Sequence, residues 1–453
     1  MGEAFQRKSL FQLTLPLFLF GIMSVGVTFA DTMLLANYSD DLAASVSMAN
    51  QVLGIGYDLS GLMSVGVLIL IAQFLGRNDV ARAREIAQIG FIASACFGVL
   101  IAAGVAGGAT FYTDWINTPP EIRDGVLLYI YSISVTLILY GFINTAIATL
   151  RGFGRTMEIL WYGVIGNVVY LGAKYVCVYG VWIVPEMGIH GAALSTVIIR
   201  GVNLCMLIWF MKAKLGLTIL RIPKDIWPNS IRILKLSYPS VGEALGYQFY
   251  QLFLVSLIAG LGVTAILTRS YALTITQLLA MIIVVMSYGN EVLVGYDKGA
   301  SDNETAFRRG LKTALMTAGG VMTIAGLLWF FSDFLVALFT QDAAVIASVH
   351  SILLLHIIVT PFQAINLILF NSLKATGDVN RPVILNLTIT LAFALPLAWL
   401  FTGVLDLGVQ GLWYAFILEE IFKATAMLLR WGYRSWQKLK LLEDTDGETS
   451  LAV

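Results

Sequence analysis

Charged residues are scarce in this sequence. Asp, Glu, Lys and Arg together make up 12% of its 453 residues, whereas 58% of the residues are hydrophobic. An ordinary soluble domain has roughly 25% charged residues, because its surface must carry polar groups. The composition therefore excludes a water-soluble globular protein and predicts a polytopic membrane protein.

Cysteine and net charge are lacking as well. Cys96, Cys177 and Cys205 lie in apolar runs and form no C-x-x-C motif or Cys/His group. Neither a disulfide framework nor a zinc site is predicted, and we expect all three to be buried packing residues. The 28 basic residues balance the 28 acidic ones, so no basic surface predicts a nucleic-acid partner.

Motifs of enzymes and of ATP-driven pumps do not occur. The sequence has no H-E-x-x-H, G-x-S-x-G or G-x-x-x-x-G-K-[ST] motif, and His190, His350 and His356 do not stand at catalytic spacing. We predict neither an enzyme nor a nucleotide-driven pump, and we expect no cofactor and no metal.

Long apolar runs follow one another along the whole chain. About 20 residues cross a hydrocarbon core, and a window of that length predicts an all-α polytopic protein with twelve transmembrane helices. The predicted spans are 10–36, 44–75, 87–111, 123–149, 158–181, 188–212, 233–262, 265–296, 308–331, 345–373, 381–403 and 406–431.

Positive charge is distributed unevenly between the loops. Most of the 28 lysines and arginines fall on one side of the membrane if the N-terminus is cytoplasmic, and only Arg123 and Arg269 fall on the other. This positive-inside bias predicts that both termini are cytoplasmic. We expect a multi-pass monomer in the lipid bilayer of a bacterial inner membrane.

The second half of the sequence repeats the first. The offset that places Pro239 on Pro16 also places Gly299 on Gly76 without a gap. Each half has six spans, so both halves begin on the same side and are predicted to be related by a pseudo-twofold axis along the membrane normal. The predicted parts are an N-lobe at 1–211, a cytoplasmic linker at 212–232, a C-lobe at 233–431 and a cytoplasmic tail at 432–453.

Several segments resemble those of one transporter family. "FADTMLLANYSDDLAASVSMANQV" resembles the first-helix signature of the multidrug and toxic compound extrusion (MATE) family, and "VLILIAQFLGRNDVARAREI" resembles the end of its second helix. "LRGFGRTMEI" and "LKATGDVNRP" resemble the ends of helices four and ten, and "MGIHGAALSTVI" the start of helix six. The resemblance implies a V-shaped antiporter that exports small organic, usually cationic, compounds against protons or sodium ions. We expect protons to be the coupling ion.

Two ionisable residues lie deep within the spans of the N-lobe. A charge at the centre of a membrane helix costs about 3 kcal/mol, so such residues are functional candidates. Asp31 falls on the family's first-helix aspartate, which the resemblance implicates in proton or sodium binding. Lys174 lies at a similar depth on the fifth span, where many relatives carry Asp or Asn. We predict that they form a buried ion pair that protonation of Asp31 opens; alternatively, Lys174 only neutralises Asp31.

Other polar residues within the spans define a candidate substrate cavity. Thr196, Arg200 and Asn203 share one face of the sixth span, and the resemblance places Tyr140 and Thr196 at the N-lobe cavity. Asp58 on the second span is a further candidate for ion coupling. The full set of N-lobe cavity candidates is Tyr140, Asn144, Asn167, Tyr170, Thr196, Arg200 and Asn203.

The C-lobe offers fewer candidates. Glu243 lies on the seventh span, one turn before Tyr247, where some family members carry a glutamate. Gln363 lies near a tenth-helix acid of the same members. These three are further cavity candidates. Glu419 and Lys423, with Glu420, are interpreted as a structural group.

Two alternative functions remain open at this point. Lys174 is compatible with export of a zwitterionic or anionic natural product in place of a cationic drug. A polyprenyl-lipid-linked flippase of the same superfamily would need a strongly cationic central cavity. The only basic residues within the N-lobe spans are Lys174 and Arg200.

Overall fold

The computed structural model describes residues 7–116, 118–181, 183–217, 223 and 225–442. Within these ranges every regular element is helical, as the composition predicts. Part of the predicted linker, 218–222 and 224, and the tail from 443 onward lie outside the described residues. The division into lobe, linker and tail stays a prediction.

All twelve predicted spans coincide with helices, and some are divided. The second span consists of two helices, as does the fourth, while π-helical segments at Ile389–Ala394 and Leu400–Val404 interrupt the eleventh. The helices are α1 (Leu10–Tyr38), α2 (Asp40–Gly61), α3 (Met63–Gly76), α4 (Val80–Trp115), α5 (Pro120–Ser134), α6 (Thr136–Gly152), α7 (Thr156–Tyr179), α8 (Gly188–Leu215), α9 (Ile226–Ala259), α10 (Val263–Gly299), α11 (Asn303–Phe330), α12 (Ser332–Ala337), α13 (Ala343–Ala375), α14 (Asn380–Thr388), α15 (Leu395–Trp399) and α16 (Gly408–Gly432).

Most of these helices meet the length and apolarity that a membrane requires. The described residues contain nine such stretches, in which α2 with α3 (Asp40–Gly76) and the segment Asn380–Val404 each count as one; α5 and α6, which meet at an angle of 47°, make a tenth if they count as one span. α9 and α16 fall outside this count, and α16 carries Glu419, Glu420 and Lys423 in its middle. The fold class is confirmed as an all-α, multi-pass membrane protein.

The chain divides into two compact units, a first unit at Met1–Tyr238 and a second unit at Pro239–Val453. The boundary lies inside α9, so the start of this helix belongs to the first unit. There the Ser237 hydroxyl accepts a hydrogen bond of 3.1 Å from the amide of Gly66.

The close contact at Gly66 predicts a large effect of a small side chain. A Cβ at this position would lie 2.5 Å from the carbonyl oxygen of Ile233, so Gly66→Ala must shift backbone. We expect a loss of about 1–3 kcal/mol of stability, measured as a lower midpoint of thermal unfolding in detergent. Gly104→Ala is the control, because among the described residues no atom outside its own helix backbone and chain neighbours lies within 4 Å of an added Cβ. Equal midpoints for the two variants would contradict this prediction.

The internal repeat is visible in two turns. Asn78 follows α3 and Ser301 follows α10, with φ angles of 61° and 62°. Asp79 and Asp302 come next, and each accepts a hydrogen bond of 3.0 Å from the amide three residues later. These side chains cap α4 and α11 in the same way. The repeat predicted from the sequence is confirmed at these positions.

The prediction for the cysteines is only partly correct. Cys177 is buried, but Cys96 and Cys205 are exposed. Their apolar neighbourhood in the sequence does not imply burial, because a helix surface that faces lipid tails is as apolar as one that faces the core.

Candidate functional site

Asp31 and Lys174 meet where α1 packs against α7. The Lys174 ammonium lies 2.5 Å from Oδ1 of Asp31, and only 1% of the Lys174 side chain is exposed, against 20% for Asp31. The ion pair expected from the equal depth of these residues is therefore present. Its role in ion coupling stays a prediction.

Tyr170 completes this group. It precedes Lys174 by one turn of α7, so both side chains project toward the same part of α1. The tyrosine hydroxyl donates to Oδ1 of Asp31 at 2.9 Å and accepts from the Lys174 ammonium at 2.9 Å. One carboxylate oxygen thus receives hydrogen bonds from an ammonium and a hydroxyl group. We call Asp31, Tyr170 and Lys174 the triad.

The helices of the triad are joined again near their ends. The hydroxyl of Tyr179 on α7 donates to the carbonyl oxygen of Leu34 on α1 at 2.9 Å. Tyr38 donates to Glu186 at 2.8 Å. The first bond joins α1 to α7, and the second joins the end of α1 to the segment between α7 and α8.

A cavity of about 210 Å³ lies beside the triad in the first unit. It reaches the triad at Tyr170, which is one of three tyrosines that line it, with Tyr140 and Tyr162. The residues that line it are Tyr140, Ile143, Tyr162, Gly166, Asn167, Tyr170, Thr196, Ile199, Arg200 and Asn203. Six of the seven N-lobe residues that the sequence assigned to a cavity are therefore brought together here.

Arg200 lies against two aromatic rings, whose centres are 4.8 Å apart. Its guanidinium carbon is 4.4 Å from the ring centre of Tyr57 and 4.7 Å from that of Tyr140. These are cation–π distances. Tyr57 was not among the residues predicted from the sequence. Its position one residue before the candidate Asp58 was the only feature that could have indicated it.

Two predicted residues of the first unit lie apart from this cavity. Asp58 is exposed on α2 and is not among the lining residues. Asn144 packs where α2 ends, since a Cβ at Gly61 would lie 3.1 Å from its amide nitrogen. Their assignment to ion coupling and to the cavity stays a prediction.

The three candidates of the second unit do not form one cluster among the described contacts. Glu243 lies 3.8 Å from the Lys374 ammonium. The hydroxyl of Tyr247 accepts a hydrogen bond of 2.6 Å from Gln251. Gln363 is partly buried on α13.

The second unit has a buried polar network that the sequence indicated only in part. The expected pair of Glu419 and Lys423 is present at 2.6 Å. Glu419 also accepts hydrogen bonds from Tyr250 at 2.8 Å and from Thr390 at 2.9 Å. Thr390 lies in a π-helical segment, a feature that often marks functional sites.

Comparison with known proteins now defines the family. The MatE family profile matches residues 16–176 and again 239–400, so the two matches begin at the same two prolines that align the internal repeat. The chain belongs to the MatE family. This family consists of membrane transporters, which are not enzymes, and it includes the NorM multidrug efflux proteins.

Relatives of this MatE transporter span its whole length. It is 28% identical over 430 residues to the uncharacterized transporter YisQ of Bacillus subtilis, with 94% of each chain covered. It is 23% identical over 460 residues to the multidrug resistance protein NorM of Vibrio cholerae, with 97% of each chain covered. The family that the sequence motifs resemble is therefore confirmed.

Solved structures share the fold. An outward-facing multidrug resistance MATE family transporter of the MOP superfamily superimposes with a TM-score of 0.82 at 19% identity, covering 95% of this chain and 96% of the other. A MOP superfamily transporter from Pyrococcus furiosus gives the same values. Among the described residues of this MatE transporter, no group of three or more His, Cys, Asp or Glu side chains could hold a metal ion.

Proposed function

We propose that this MatE transporter exports a small organic compound across the bacterial inner membrane in exchange for protons, with both termini in the cytoplasm. Asp31 is the residue that binds the proton. The observation that supports this most strongly is the triad, in which a membrane-embedded carboxylate is paired with a buried ammonium. The NorM relatives, which are named multidrug resistance proteins, support the export of drug-like compounds.

Protonation of Asp31 would open the triad. A neutral carboxyl group no longer attracts Lys174, whose side chain is almost completely buried. An uncompensated buried charge costs several kcal/mol, so the region between α1 and α7 must rearrange. A transporter needs such a two-state element to alternate between its two sides.

The triad favours a proton over a sodium ion. Oδ1 of Asp31 already accepts hydrogen bonds from an ammonium and a hydroxyl group. A sodium ion at this oxygen would be repelled by the Lys174 charge at contact distance. A proton avoids this repulsion, because it removes the negative charge without adding a second cation.

The experiment that tests this proposal uses purified protein in liposomes. Export of a fluorescent drug is measured with either a pH gradient or a sodium gradient imposed across the membrane. We expect the pH gradient to drive accumulation and the sodium gradient alone to give the signal of empty liposomes. Accumulation driven by sodium at constant pH would assign the coupling to sodium and contradict the role proposed for Asp31.

A further inference from the structure

We infer that the cavity of the first unit holds an anionic group of the transported compound, and that Arg200 binds this group. The inference deepens the proposed function, since it names the chemical class of the compound. The cationic compounds expected from the family resemblance would not carry such a group.

This inference is based on the charged residues that line and border the cavity. Arg200 is the one charged residue among those described as lining the cavity, and none of them is Asp or Glu. Asp31, which borders the cavity through Tyr170, is already paired with Lys174. With the triad closed, Arg200 therefore leaves the region with one net positive charge. A positive site concentrates anions and repels cations.

The surroundings of Arg200 leave its charge available. Two tyrosine rings hold the guanidinium by their faces, which orients the group without neutralising it. Its buried Nε atom has no hydrogen-bond partner within the described part of the chain. The planar guanidinium of an arginine that lines a cavity matches a carboxylate, sulfonate or phosphate group.

Two amide groups and two tyrosine rings line the cavity beside Arg200. In the described residues, Nδ2 of Asn167 and Oδ1 of Asn203 are buried without a hydrogen-bond partner, and both side chains line the same cavity. Neither atom has appreciable accessible surface, and Oδ1 of Asn203 packs against Gly166, so a ligand would reach these atoms only if the side chains turned toward it. The rings of Tyr140 and Tyr162 provide walls for an aromatic body.

Proton antiport adds one requirement to the compound. A bound anion and a proton on Asp31 attract each other electrostatically, so a simple anion would travel together with the proton. A second, cationic group on the same molecule would be repelled by Lys174 once protonation of Asp31 leaves that ammonium unpaired, so such a molecule would bind better to the closed triad and restore exchange. If the proposed antiport holds, the compound is therefore a zwitterion with an aromatic body.

Three probes that share an indole ring and differ in charge test which charge the cavity binds. Indolepropionate is an anion, tryptamine is a cation, and tryptophan carries both groups. Binding to the wild-type protein in phosphatidylcholine nanodiscs is measured by calorimetry without any ion gradient. We expect indolepropionate and tryptophan to bind about tenfold more tightly than tryptamine, which corresponds to one hydrogen-bonded charge pair.

Variants of Arg200 connect this selectivity to the cavity. Arg200→Gln should remove the tenfold preference, and Arg200→Lys should keep part of it, because lysine retains the charge without the planar fork. The matched control is Arg123→Gln, since Arg123 is paired with the exposed Asp114 near the end of α4. If Arg200→Gln does not fold, the wild-type probe series still decides.

Several outcomes would overturn the inference. These are equal or tighter binding of tryptamine, unchanged binding of indolepropionate by folded Arg200→Gln, or binding of none of the three probes. A lipid headgroup carries the same anionic chemistry, so the titration is repeated with phosphatidylglycerol in the nanodiscs. Loss of indolepropionate binding there would assign Arg200 to the lipid. Because no gradient is used, failure of proton coupling leaves these results unaffected.

Discussion

Asp31→Asn is expected to abolish proton-driven export. Asparagine keeps the size and hydrogen-bonding ability of the side chain but cannot take up or release a proton. In the triad, Lys174 would then have no negative partner in any state, so the opening step would no longer depend on pH. The measurement is drug accumulation in liposomes under a fixed pH gradient, where the variant should give the signal of empty liposomes.

The control for this experiment is a change of aspartate to asparagine at an exposed position. Asp114→Asn changes a carboxylate that is 64% exposed and pairs with Arg123, and exposed ion pairs contribute little to stability. This variant should export at the wild-type rate. Wild-type export by Asp31→Asn under the same gradient would show that the proton binds elsewhere.

Glu419→Ala is expected to destabilise the second unit strongly. The substitution removes the carboxylate that pairs with Lys423, whose side chain is 12% exposed, and it leaves the hydroxyl groups of Tyr250 and Thr390 without their acceptor. Removing one partner of a buried ion pair costs about 3–5 kcal/mol. The measurement is the midpoint of thermal unfolding in detergent, which should fall well below that of the wild type.

A double variant separates charge from packing in this network. Glu419→Met combined with Lys423→Met removes both charges and keeps similar volumes, so it should be more stable than Glu419→Ala. Glu304→Ala is the surface control, because Glu304 forms exposed pairs with Arg308 and Arg434, and its midpoint should stay close to that of the wild type. A double variant as unstable as Glu419→Ala would mean that the acceptor lost by Tyr250 and Thr390, or Glu420 left without Lys423, causes the loss, and not the lone charge of Lys423.

The class of the protein and the register of its repeat could be predicted from the amino-acid sequence alone. Scarcity of charge and the succession of long apolar runs leave few alternatives to a helical membrane bundle, because backbone groups in lipid must be satisfied within each helix. Asp79 and Asp302 repeat at this fixed offset, because both cap the helix that follows them. Depth along a helix follows from counting residues, and this was sufficient to pair Asp31 with Lys174.

The side of each helix that meets a neighbouring helix became known only from the tertiary structure. Counting residues does not show which face of an apolar helix meets a neighbour and which meets lipid, so Cys96 and Cys205 were wrongly expected to be buried. For the same reason Tyr170 was assigned to the cavity but not to the ion pair, and Tyr57 beside Arg200 was missed. Contacts between distant segments depend on how helices rotate and pack against each other, and hydropathy along one segment does not contain that information.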